Sequence, residues 1–365
     1  MSGDPIKVLF VGGFGRSGST LLDNVLGQVE GFFSCGEISY AWDRGIEQDR
    51  LCSCKNAFSA CPFWSRVVER SFAGSGMPDL ARMVATRESL TPKRVAVAAM
   101  RGQQARSLEG VGDLLDRLEA IYRAIRDETG CRVVVDSSKA PGHGFLLRSS
   151  SEIDAYALHL VRDSRAVAHS WQKKMVYDQT GDEPMYMSRH SPMRSSKLWN
   201  TWNLATERVW RSRPERYLRL PYEEFVGAPA ATLVRILEFV GEQAAELPVD
   251  ANNRFEMGPI HALAGNPSRF KDGPIEIRRD DKWKRDQPLG QRLLVTLLTL
   301  PLLLRYGCIR PRVRCRSPQA LTLAEREEVS RGLVCGQSLR QIASRLIAAL
   351  RPTVAECLWR GWAKS

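Results

Sequence analysis

Near the N-terminus an apolar run, Lys7 to Val11, breaks into Gly12-Gly13-Phe14-Gly15-Arg16-Ser17-Gly18-Ser19-Thr20, after which Leu21, Leu22, Val25 and Leu26 recur at helical spacing. Strand, glycine loop and helix in that order leave little conformational choice. The glycines let the backbone turn tightly, and the free N–H groups of the loop and helix start converge where the helix dipole favours negative charge. The segment is therefore an anion-binding element fed by a sheet strand. Three later segments repeat the alternation. Arg132 to Val135 is a β-branched strand followed by Asp136-Ser137-Ser138-Lys139, with Pro141 opening a helix. Ala155 to Val161 is a strand that turns at Arg162-Asp163-Ser164 and continues as a helix through Ala166, Val167, Ser170 and Trp171. Tyr217 to Leu220 precedes Pro221-Tyr222-Glu223-Glu224-Phe225 and a helix over 230–240. Strands separated by helices argue an α/β fold: a P-loop-like parallel sheet flanked by helices on both faces, with ligands at the carboxyl ends of the strands.

Gly13 to Thr20 has the G-x4-G-x-[ST] spacing of a P-loop, but Ser19 stands where a lysine would reach the β and γ phosphates. A nucleoside triphosphatase is thereby disfavoured. Arg16 supplies the positive charge from within the loop, and its planar array of donors suits an oxyanion.

With these residues in place, Gly15-Arg16-Ser17-Gly18-Ser19-Thr20-Leu21-Leu22 resembles the 5′-phosphosulfate loop of sulfotransferases that use 3′-phosphoadenosine 5′-phosphosulfate (PAPS). Leu160 to Ser170 resembles the 3′-phosphate site of the same family, in which an Arg at a strand end and a Ser eight residues on bind the nucleotide. Here those are Arg162 and Ser170, and a strand end and a position two helical turns later can face one crevice. Arg165 and His169 read as a surface cation and a packed histidine. The resemblance covers about residues 6–305 and is nearer to the bacterial, carbohydrate and tyrosylprotein enzymes than to the cytosolic phenol and steroid enzymes.

It implies PAPS as cosubstrate, no required metal, and a hydroxyl-bearing acceptor: a carbohydrate, a glycolipid or a small natural product. The base it implies is Glu37 of Ser34-Cys35-Gly36-Glu37, just after the first helix. Attack of an alcohol on sulfur needs such a group within hydrogen-bond reach. Arg16 and Lys139 are the cations expected at the leaving group. Gly15, Arg16, Ser17, Gly18, Ser19 and Thr20 are expected to bind nucleotide, with Arg162, Ser170 and Tyr222. Ser268 and Arg269, in Gly265-Asn266-Pro267-Ser268-Arg269-Phe270-Lys271, resemble the family's C-terminal nucleotide loop.

Composition bounds the rest. A chain of 365 residues that is 43% hydrophobic excludes general disorder and collagen-like repeats. The longest apolar stretch, 293–304, is interrupted by Pro301 and falls short of the roughly 18 to 20 residues of a membrane span. A buried or interfacial helix is expected there, which leaves peripheral membrane contact open. The N-terminus lacks the marks of a signal peptide, and nine cysteines, an odd number, fit a reducing compartment. A bacterial cytoplasmic enzyme is expected. Cys52, Cys54 and Cys61 invite a metal, but C-x-C-x6-C has no matching His/Cys pair at zinc spacing, so no metal site is expected and a buried thiol cluster or an occasional disulfide is preferred.

Residues 1–305 form the expected catalytic domain, with 40–130 as a helical insertion serving as a lid or acceptor-binding cap and 182–195 as a loop over the site. Residues 306–365 hold eleven Lys/Arg against four Asp/Glu, a surplus of seven out of the chain's +12. This basic, helical tail resembles, over 318–346, the N-terminal helix-turn-helix of insertion-sequence transposases, but the recognition helix is missing. The expectation is that a mobile element inserted at the end of the gene and replaced a short native terminus, and no nucleic-acid partner is expected. The alternatives are a P-loop nucleotide-binding phosphotransferase and a protein that binds DNA through the tail.

Overall fold

A computed structural model describes residues 4–178 and 185–309. Its strands are β1 (Ile6–Gly12), β2 (Phe32–Gly36), β3 (Val133–Lys139), β4 (Ile153–Val161), β5 (Val176–Asp178), β6 (Met185–Tyr186), β7 (Tyr217–Pro221), β8 (Arg254–Met257) and β9 (Gly273–Glu276). The α-helices are α1 (Ser19–Leu26), α2 (Pro62–Phe72), α3 (Leu80–Ser89), α4 (Pro92–Met100), α5 (Val111–Thr129), α6 (Pro141–Ser149), α7 (Ser164–Gln172), α8 (Pro192–Trp210), α9 (Tyr222–Gly227), α10 (Pro229–Val240), α11 (Trp283–Asp286) and α12 (Leu289–Arg305).

Five strands form one parallel sheet in the order β2-β3-β1-β4-β7. Alternation along β1 decides its two faces. Val8 and Phe10 join Val134, Leu114, Leu118 and Phe145 in one core, while Leu9 and Val11 join Leu22, Val25, Val135, Leu158 and Ile236 in the other. Helices cover both faces, as a fully buried parallel sheet requires. The chain passes from β1 to one side through β3 and to the other through β4, so the switch point lies at the carboxyl end of β1, where such sheets open a crevice.

Register brings the functional ends together. Gly12 pairs with both Lys139 and His159, Gly36 with Asp136, and Val161 with Pro221. The loops carrying Arg16, Glu37, Lys139, Arg162 and Tyr222 therefore leave the sheet on one edge. The sequence reading places Glu37 directly after α1, but β2 intervenes. A five-residue run that includes Ser34 and ends on glycine carries no alternating signal, and its pairing with β3 makes it a strand. The second unit is longer than expected, since β3 runs on through Lys139.

Within 40–130, α2 to α5 bury Phe63, Trp64, Met83, Val95, Leu114 and Leu118 in the core shared with the sheet. The start of that segment is a π-helical turn, Ala41–Glu47. The 182–195 stretch contributes β6, which pairs antiparallel with β5, and then the start of α8; residues 182–184 are outside the described ones. The apolar stretch at 293–304 lies in α12, which holds Pro301 internally and buries Val295, Leu302 and Leu303 while leaving Leu293 and Leu297 exposed. No helix among the described residues is long and apolar enough to cross a membrane. The helix-turn-helix reading of 318–346 lies outside the described residues.

Candidate active site

A cavity of about 730 Å³ opens at the carboxyl ends of β1, β3 and β4, within the range of roughly 300 to 1,000 Å³ typical of ligand sites. Gly15, Arg16, Gly18, Ser19, Thr20, Glu37, Lys139, Arg162, Ser170 and Ser268 line it. Ser17, Tyr222 and Arg269, also expected at the site, do not. The Ser17 hydroxyl donates to the Phe14 carbonyl (2.7 Å) inside the loop. Tyr222 lies beneath the loop, where a Cβ on Gly18 would stand 2.6 Å from its ring. Arg269 is buried, donating to the Gly265 carbonyl (3.1 Å) and stacking on Phe270.

Gly18 adopts a left-handed conformation (φ 93°) as the N-cap of α1, and no side chain caps the helix. The first-turn N–H groups are thus available to a ligand. Arg16 is also left-handed (φ 69°), which turns its side chain across the cavity. Its guanidinium lies over the Trp171 ring (5.1 Å) and meets the thioethers of Met175 (3.1 Å) and Met187 (3.2 Å), which are weak acceptors. Burial pulls its pKa below the usual guanidinium range, against the attraction of Glu37.

Arg162 leaves the end of β4 and donates to the Arg16 carbonyl (3.3 Å), so the two guanidinium-bearing segments meet. It also pairs with Asp280 (3.2 Å) and sits over the Tyr222 ring (4.4 Å). The Nε atoms of Arg16 and Arg162 are both buried without a hydrogen-bond partner among the described residues. Buried N–H donors in that state cost free energy until an acceptor arrives. A ligand with anionic oxygens at two separated points fits this chemistry.

Glu37 is 6% exposed and accepts from Lys139 Nζ at 2.5 Å. The backbone fixes both partners. Gly36 is left-handed (φ 75°) and packs against the Leu263 backbone, whose carbonyl accepts from Glu37 N (2.7 Å). Lys139 is itself left-handed (φ 67°), and Ser138 Oγ accepts from Ser39 N (3.0 Å) while donating to Asp136. Burial works against the Asp136 carboxylate, yet the charge and hydrogen bond of His143, with bonds from Ser138 and Tyr122, hold its pKa below the usual range. This buried carboxylate anchors the turn that presents Lys139.

A model of the family described as sulfotransferase matches residues 8–246. The chain belongs to the sulfotransferase family. Among solved structures, it is similar to the sulfotransferase domain of the Synechococcus olefin synthase, at 20% identity over 82% of this chain and 95% of that one, with a TM-score of 0.45. It is similar at 16% identity to the sulfotransferase domain from the curacin biosynthetic pathway, over 81% of this chain and 98% of that one (TM-score 0.43). A Mycobacterium tuberculosis sulfotransferase shares 12% identity over 66% and 69% of the two chains (TM-score 0.35). No curated protein matches.

Several lining residues of this sulfotransferase escape the sequence reading. Tyr40, Arg44, Arg50 and Tyr177 form one wall, with Arg44 over the Tyr40 ring (3.7 Å) and bonded to the Tyr177 hydroxyl (3.2 Å). His190 stacks on Trp171 (4.2 Å). Tyr40 and Arg50 flank the π-helical turn that holds Arg44, while Tyr177 lies in β5 and His190 beyond β6, where no period marks them. Arg165 is not free: it pairs with Asp163 (2.6 Å) and covers Trp283 (4.9 Å). His169 does not line the cavity, and burial lowers its pKa.

Proposed function

We propose that this sulfotransferase uses PAPS and that Glu37 is the base that activates the acceptor hydroxyl. The observation that carries the reading is the meeting of Arg16 and Arg162 in one cavity with the Glu37–Lys139 pair. The cosubstrate supplies an activated sulfuryl group and departs as adenosine 3′,5′-bisphosphate. Arg16, Ser19, Thr20 and the first-turn N–H groups of α1 hold the 5′ end, while Arg162 and Ser170 hold the 3′-phosphate. Tyr222 acts from beneath, supporting Gly18 and Arg162, and Ser268 closes the nucleotide from the far loop, whose bend Arg269 holds.

Glu37 Oε accepts the hydroxyl proton as the acceptor oxygen bonds to sulfur and the sulfur–oxygen bond to the phosphate breaks. Negative charge shifts onto that leaving oxygen, and Lys139 Nζ and Arg16 stabilise it by hydrogen bonding. The ion pair holds base and leaving-group cation 2.5 Å apart, so both functions operate at one reacting centre. The acceptor enters against Tyr40, Arg44, Arg50 and Tyr177, whose rings and guanidinium groups suit a hydroxyl-rich carbohydrate, glycolipid or natural product.

Thermal shift tests the donor. Adenosine 3′,5′-bisphosphate at about 100 times its Kd should stabilise the fold by about 2.7 kcal/mol, well beyond the effect of ATP with magnesium at the same concentration. Greater stabilisation by ATP would overturn the assignment in favour of a phosphotransferase. Mass spectrometry of cell extracts incubated with enzyme and PAPS then identifies the acceptor by its added sulfate.

A further inference from the structure

Read along the chain, Cys52, Cys54 and Cys61 lack a fourth zinc ligand. The fold supplies one from 200 residues away. A tight turn, closed by the Leu51–Ala57 bridge and by Lys55 N donating to the Cys52 carbonyl (2.8 Å), places Cys52 and Cys54 together, with Lys55 left-handed (φ 71°). Cys61 follows as the N-cap of α2, with Pro62 at the first helical position. His261 arrives on a segment clamped to that turn: Ser53 Oγ donates to the Ile260 carbonyl (2.6 Å) and accepts from Ala262 N (2.8 Å). Trp64 Nε1 donates to the His261 carbonyl (2.8 Å).

The three Sγ atoms and His261 Nδ1 all lie within 4.8 Å of one another. Cys54 Sγ is 3.6 Å from Cys61 Sγ, and His261 Nδ1 is 3.3 Å from Cys61 Sγ and 3.8 Å from Cys52 Sγ. Zinc–sulfur bonds of about 2.3 Å and zinc–nitrogen bonds of about 2.0 Å give tetrahedral edges of about 3.8 Å between sulfurs and about 3.5 Å from sulfur to nitrogen. These three separations lie within about 0.3 Å of those edges, and no pair in the cluster exceeds 4.8 Å. They are far longer than the roughly 2.05 Å of a disulfide, and all three residues are free thiols.

We propose that Cys52, Cys54, Cys61 and His261 Nδ1 form a structural zinc site. Three soft sulfurs and one imidazole at tetrahedral spacing select zinc over magnesium or calcium. Binding releases the thiol protons to solvent and leaves three thiolates and a neutral imidazole on Zn²⁺. Four protein ligands leave no position for water, so the metal does no chemistry. None of the four lines the cavity, yet the site bears on it. The clamped segment continues to Leu263, which accepts from Glu37 N, and to Gly265, Asn266 and Ser268 on the cavity wall. Zinc thus fastens the start of the insertion to the far loop and fixes the backbone that carries Glu37.

The full chain, expressed in zinc-supplemented medium and purified with a non-chelating reductant, should hold about one zinc per chain by elemental mass spectrometry. Exchange with cobalt(II) should give thiolate-to-metal charge-transfer bands and the intense visible absorption of a tetrahedral site. Chelation should lower Tm by roughly 5 °C or more, and added zinc should restore it. Cys54→Ser and His261→Ala should each weaken zinc binding at least about 10-fold, whereas Cys308→Ser, outside the cluster, should retain it. The unmodified chain decides the matter even if the variants fail to fold. Less than about 0.1 zinc per chain with no cobalt spectrum, or a disulfide among the three cysteines after purification in reductant, would overturn the proposal.

Discussion

At the scale of single residues, the assignments separate by what each side chain is asked to do. Glu37→Gln keeps shape but cannot take a proton, so sulfate transfer should fall about 10²- to 10⁴-fold while bisphosphate affinity measured by calorimetry changes little. Retained turnover would move the base elsewhere. Arg162→Ala should instead weaken the bisphosphate by at least about 30-fold, since a buried charge partner is lost and Asp280 is left unpaired. Asp23 gives a pH prediction. Its carboxyl is fully buried, receives one hydrogen bond from Ser34 (2.7 Å) and leaves Oδ1 without a partner. Burial raises its pKa from the usual 3.8 to about 7. The folded state therefore holds a proton that the unfolded state releases between those values, and stability from this group falls as pH rises from about 4 to about 7 and is level above that. Asp23→Asn should flatten that part of the Tm profile; an unchanged slope would place the titration elsewhere.

At the scale of elements, the close approach of Gly36 to the Leu263 backbone joins the edge strand to the far loop. A Cβ there would stand 2.3 Å from the Leu263 carbonyl oxygen, in a backbone conformation of φ 75° that side chains avoid. Gly36→Ala should cost about 1 to 3 kcal/mol or more in denaturant unfolding and lower turnover, because Glu37 is the next residue. Unchanged stability and turnover would mean that the two segments are not held together as described. The same junction shows what local pattern carries. β1, the glycine loop and α1 are legible because period, glycine placement and helix start agree within twenty residues. Arg162 and Ser170 are legible because their spacing spans a strand end and two helical turns. Edge strand β2 is not, since its pairing with β3 is set by residues a hundred positions away. His261 is invisible to cysteine spacing for the same reason: a ligand set completed across 200 residues has no local signature. The aromatic wall of Tyr40 and Tyr177 likewise depends on packing between segments with no period of their own.

Charge acts at the scale of the whole molecule. The chain carries +12, of which residues 306–365 hold seven and the first 305 residues five. Six cations line the cavity, Arg16, Arg44, Arg50, Lys139, Arg162 and Lys173, against two carboxylates, Glu37 and Asp280. That surplus of four leaves the rest of the first 305 residues balanced to within one charge. A cleft with a net positive surplus focuses its field outward and raises the encounter rate of an oppositely charged ligand. The field is screened over about 10 Å at 0.1 M salt and about 3 Å at 1 M. In stopped-flow binding, the association rate of adenosine 3′,5′-bisphosphate should therefore fall about 10-fold between low salt and roughly 0.5 M, while its dissociation rate changes less. Adenosine, which lacks the phosphates, should show no such dependence. Arg44→Ala with Arg50→Ala should reduce the salt slope without disturbing Arg16 or Arg162, because both lie on the wall built with Tyr40 and Tyr177. An association rate indifferent to salt would show that the phosphates meet no concentrated positive field, and the cavity would lose its claim to a doubly phosphorylated ligand.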